Sequence, residues 1–76
     1  MANADDDIKR FGEKLRILRT RKGLTIRALA SELRVSHGAI GEVEANARQP
    51  RINFARKVAE YFDVSADVLL DDERDV

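Results

Sequence analysis

Residues 25–45, TIRALASELRVSHGAIGEVEA, decide the fold. Two amphipathic segments lie there, joined by about three residues. Leu29, Ala30 and Leu33 mark the inward face of the first segment. Ala39, Ile40 and Val43 cluster on one arc of the second when it is drawn at 100° per residue. His37, Gly38, Gly41 and Glu42 fall on the opposite arc. Ala30 is small enough to let the two helices cross closely, and Val35 can plug the turn between them. Thr25 and Ser36 each precede a segment and suit the N-cap, where a side-chain oxygen accepts from a free backbone N–H.

Outward from this pair the periodicity stays helical. Ile8, Phe11, Leu15 and Leu18 form the stripe of a first helix over residues 7–22. Acidic residues before it and Arg19, Arg21 and Lys22 at its end both suit the helix dipole, and Gly23 stops it. The quoted stretch supplies helices over 26–33 and 37–45. Residues 46–50 read as a loop, because Pro50 disfavours helix in the residue before it. A fourth helix over 52–62 buries Ile52, Ala55, Val58, Ala59 and Phe62, although Arg51 is a poor cap. Asp63 and Val64 turn the chain, and Ser65 caps a last short helix with Val68, Leu69 and Leu70. The expected fold class is all-α: five helices with short loops, a leader at 1–7, a domain at 8–70 and an acidic tail at 71–76 that should fray.

The 76 residues make one small domain. The formal net charge of zero conceals a division. Asp5, Asp6, Asp7, Asp71, Asp72, Glu73 and Asp75 lie at the ends, so residues 8–70 hold 13 bases and 7 acids. Such a basic body suits an anionic partner. The absence of cysteine excludes disulfides and thiolate metal sites and fits a reducing cytoplasm. No apolar run approaches a membrane span, and the polar start MANADDD is unlike a signal peptide. No glycine-rich phosphate loop follows a strand and no nucleophile has a base at useful spacing, so the expectation is no enzyme. His37 is the lone histidine and has no partner at metal-ligand spacing; neither metal nor cofactor is expected.

The segments FGEKLRILRTRKGLT, LASELRVS, AIGEVE, RQP and KVAEYFDVSADVLL, together spanning residues 11–70, resemble the phage-repressor and Cro-type (XRE-like) helix-turn-helix family. The resemblance implies a five-helix domain, usually dimeric, with its third helix in the DNA major groove. It places Ser36, His37, Gly38, Gly41 and Glu42 at bases or nearby phosphates. It pairs Arg19 with Glu44 and brings the loop at Asn46, Ala47 and Arg48 to the DNA backbone. The chain departs from the family in three places: Ile26 stands where Gln is frequent, Arg34 where the turn favours Gly, and Ala45-Asn46 where the loop begins Asn-Gly. Arg34 must therefore bear a left-handed backbone or adopt another turn.

The third helix lacks long base readers on its outer arc. His37 can donate to a guanine edge or a phosphate, and Glu42 can accept from cytosine N4. Gly38 and Gly41 each cost about 1 kcal/mol of helix propensity against alanine, a cost that close approach to bases would explain. Arg10, Arg27, Arg34, Arg48 and Arg51 are candidate phosphate contacts, with Asn46 beside them. Phe54, Tyr61, Val68, Leu69 and Leu70 exceed what a core this small needs; they are either ordinary core at the end of the domain or the expected dimer interface. The sequence thus describes a cytoplasmic, bacterial or phage, nucleoid-associated regulator. It would bind double-stranded DNA at a palindromic operator as a homodimer, as repressor or autoregulator, although the sequence does not separate repressor from activator, and it would be open to control by a protein partner. The alternative is a protein-interaction module on the same scaffold that has lost DNA readout.

Overall fold

In the computed structural model, which describes residues 8–76, the chain forms five helices and no strand among the described residues. They are α1 (Phe11–Arg21), α2 (Ile26–Leu33), α3 (His37–Glu44), α4 (Ile52–Phe62) and α5 (Ala66–Leu70). The expected leader at 1–7 and its acidic dipole partners lie outside the described residues. α1 begins later than its periodicity predicts, and Ile8 packs against the core from ahead of the helix.

The core is one cluster: Phe11, Leu15 and Leu18 of α1, Leu29, Ala30 and Leu33 of α2, Ile40 and Val43 of α3, Ala55, Val58 and Ala59 of α4, and Leu69 of α5. α3 packs against both α1 and α2. Gly12 makes the α1 contact possible. A Cβ there would collide with the backbone carbonyl of Val43 and sit 3.1 Å from the Cα of Glu44.

Three helices start on a hydroxyl cap: Thr25, Ser36 and Ser65 accept from the N–H groups of Ala28, Ala39 and Val68. Four helices end alike, on a left-handed residue whose N–H and whose successor's N–H fold back onto the last turn. The left-handed residues are Gly23, Arg34, Asn46 and Asp63. In α2, Arg34 N–H donates to Ser31 O and Val35 N–H to Ala30 O. In α3, Asn46 N–H donates to Val43 O and Ala47 N–H to Glu42 O.

Three expectations are corrected. Ile52 is 76% exposed rather than buried, because the space beside it is an unfilled hollow of about 210 Å³ lined by Ile8, Ala55, Ala66 and Leu70 among others. Leu69, expected at a dimer interface, is fully buried in the domain's own core. The tail is packed rather than frayed. Asp72 accepts from the backbone N–H groups of Lys9 and Arg10, and Arg10 in turn donates to Asp72 O and pairs with Asp75. Lys14, fully buried, donates from Nζ to the carbonyls of Val68 (2.7 Å) and Asp71 (2.6 Å), capping the end of α5.

Candidate nucleic-acid interface

The third helix carries its outer arc into solvent. His37, Gly38 and Glu42 are exposed and Gly41 is half-buried, while Ile40 and Val43 anchor the helix from below. A Cβ added at Gly38 or Gly41 would meet nothing within 4 Å. These two glycines are therefore not demanded by the domain's own packing, in contrast to Gly12. Ser36 spends its acceptor on the Ala39 N–H, 3.1 Å away, and keeps its hydroxyl proton for another partner.

Arg19 and Glu44 fix the pitch of α3 against α1. Nε and Nη2 of Arg19 reach Oε2 and Oε1 of Glu44 at 2.7 and 3.0 Å, a two-pronged bond with side chains 13% and 8% exposed. The remaining Nη1 donates to Leu24 O at 2.8 Å. The hydrogen bonds to Glu44 raise the Arg19 pKa, against the opposing effect of burial. Breaking a pair this enclosed by removing one member strands a charge, at a cost of about 3–5 kcal/mol.

Arginines flank the exposed helix on both sides. On the α4 side, Arg48 and Arg51 border a narrow groove of about 160 Å³ floored by Val35, Ala39, Val43 and Phe54. On the α1 side, Arg16 borders an open hollow of about 320 Å³ shared with Gly41, Glu44 and Ala45. Arg27 and Arg34 are exposed, and Arg34 has φ 58° and ψ 47°, so it does bear the left-handed backbone. Arg48 does not stand alone: its Nη2 lies 2.8 Å from Oε1 of Glu42, both side chains about half exposed. Arg10 is corrected from phosphate candidate to structural residue, since Glu13, Asp75 and the Asp72 carbonyl occupy its guanidinium.

Sequence reading missed Arg16, although it lies one helical turn before Arg19 and so on the same side of α1. It also missed the Glu42–Arg48 pair, which depends on how the loop after α3 folds back.

A three-helix core holding a two-helix hairpin, with the second helix of the hairpin standing free between basic flanks, is the architecture of a helix-turn-helix domain. The chain belongs to that family: the helix-turn-helix domain model matches residues 10–72. It is 40% identical over 63 residues to the HTH-type transcriptional activator BcrR of Enterococcus faecalis, covering 83% of this chain and 31% of BcrR. The chain thus spans about a third of the length of that relative. Among solved structures it is similar to the N-terminal DNA-binding domain of SinR from Bacillus subtilis, with 30% identity and a TM-score of 0.79, covering 86% of this chain and 96% of that one. SinR has also been solved in complex with DNA, with 32% identity and a TM-score of 0.75 over 80% of this chain and 98% of that one. The restriction-modification controller protein C.AhdI from Aeromonas hydrophila is 33% identical with a TM-score of 0.74, covering 88% of this chain and 98% of that one.

Proposed function

We propose that this chain is a sequence-specific, double-stranded DNA-binding transcription regulator that sets α3 in the major groove and acts in the cytoplasm on the nucleoid. The observation that carries the reading is the exposed, glycine-bearing face of α3 between arginines on both flanks. Ser36, His37, Gly38, Gly41 and Glu42 are the proposed base contacts. Arg27, Arg34, Asn46 and Arg51 are the proposed phosphate contacts, and Arg16 joins them. The similarity to SinR, which binds DNA, supports the same partner class.

A homodimer on a two-fold symmetric operator remains the proposed working unit, with recognition helices about 34 Å apart. Its face is moved from the set expected from sequence. Leu69 is withdrawn as core, and Tyr61 is engaged by Lys22, whose Nζ lies 4.3 Å from the ring centre, and by Phe62. Ile52 and Leu70 are the exposed large hydrophobics of the described residues, and both line the hollow between α4 and α5. Phe54 and Val68 are half-buried, and Phe54 lines the groove beside α3 rather than this hollow. Repression by occupancy is the proposed mode, since it asks nothing of the domain beyond binding.

The test is retention on a randomised duplex pool at rising salt. Several phosphate contacts predict a log–log slope of about −0.9 for each, and enrichment of a palindrome. A flat salt response, or no retention at 50–100 mM salt (roughly the range where such contacts are strong), would overturn the reading in favour of a protein-binding surface.

A further inference from the structure

We infer that Arg48 acts on base choice through Glu42, as a positioning residue, rather than as an independent phosphate contact. The inference rests on the DNA-binding reading above and deepens it.

A carboxylate on a surface that meets DNA is repelled by the phosphates on both strands. α3 carries two carboxylates, and each has an arginine. Glu44 has Arg19 from α1, enclosed and two-pronged. Glu42, on the outward face, has Arg48 from the loop, with 2.8 Å between Nη2 and Oε1. The loop geometry that delivers Arg48 is specific. Asn46 takes a left-handed backbone at φ 61°, and the N–H groups of Asn46 and Ala47 bond back to Val43 O (3.0 Å) and Glu42 O (2.8 Å). This reverses the chain directly over the residue that Arg48 then meets.

The pairing has two consequences. It cancels the negative charge that would keep α3 away from the groove. The ion pair is made at one oxygen, Oε1, so that the other remains to accept a hydrogen bond. The donor class that a carboxylate recognises in the major groove is the exocyclic amino group of cytosine. Arg48 thereby sets which way Glu42 points, and its own charge is spent on Glu42 rather than on the backbone.

The experiment is a two-by-two set: wild type, Glu42→Gln, Arg48→Ala and the double variant, each put through selection from a random duplex pool and a salt titration. Both side chains are half exposed, so the fold should survive, and circular dichroism checks it. Arg48→Gln is the second probe should alanine unsettle the loop. The expected result is that Glu42→Gln and Arg48→Ala each relax preference at the same base position. Arg48→Ala should then have little further effect in the Glu42→Gln background, and the salt slope should change by less than one unit. Two independent contacts would instead give multiplying affinity losses, unaltered base preference and a slope smaller by about one for Arg48→Ala. That outcome overturns the inference and leaves DNA binding standing. Failure of the wild type to bind any duplex overturns both.

Discussion

Glycine appears in two opposite roles in adjacent helices. Gly12 is required by contact: no side chain fits between α1 and the end of α3. Gly38 and Gly41 face open space, yet each lowers helix stability. Replacing Gly41 with alanine should therefore raise stability by about 1 kcal/mol, measured by chemical denaturation. Affinity for the selected duplex should fall, because the added methyl stands on the face proposed to meet bases. A variant more stable and equally tight on DNA would remove Gly41 from the binding face. At Arg34 the balance differs again. A side chain at φ 58° carries a backbone cost that glycine would avoid, and the residue is exposed at the turn.

Helix ends are legible because their chemistry is local. Gly-Leu-Thr at 23–25, Arg-Val-Ser at 34–36 and Asp-Val-Ser at 63–65 follow one plan: a left-handed residue, an apolar residue, then a hydroxyl cap. α1 has no such cap of its own, and its start is served from the other end of the chain. Asp72 takes the N–H groups of Lys9 and Arg10, and the Lys9 bond holds its carboxyl below the ordinary value of 3.8. Arg10 lowers Asp75 in the same way. A carboxyl lowered in the folded state stabilises the fold above its unfolded value. That contribution is lost as pH falls through the folded value. Asp72→Ala should therefore cost about 1 kcal/mol at neutral pH, as loss of a hydrogen-bonded acceptor does. Its denaturation curve should converge on that of the wild type well below pH 3.8. An equal gap at pH 7 and at strongly acid pH would show that the carboxylate charge contributes nothing.

At the scale of the whole molecule, the unfilled hollow beside Ile52 is the feature that a second copy would complete. Arg51, just ahead of α4, and Arg56 on it border the hollow, with Ala66 and Leu70 from α5. Ile52→Glu tests the face. The residue is 76% exposed on the first turn of α4, where an acid suits the helix dipole, so monomer stability should move by less than about 0.5 kcal/mol. Sedimentation should show the dimer population lost and the half-site spacing preference lost with it. Unchanged assembly would place the dimer contact elsewhere.

Helix number, helix order and three of the caps followed from sequence alone, since each depends on residues within a turn of one another. The hairpin followed too, because small and branched apolar residues at helical spacing leave one arc to face the core. The tertiary structure decided what distant neighbours decide. A buried Lys14 reads as a surface charge until the carbonyls of Val68 and Asp71 are brought to it. Ile52 reads as core until the space beside it is seen to be empty. Glu42 and Arg48 read as separate DNA contacts until the loop folds one onto the other. In each case the short-range pattern is the same for either outcome, and only the three-dimensional surroundings break the tie.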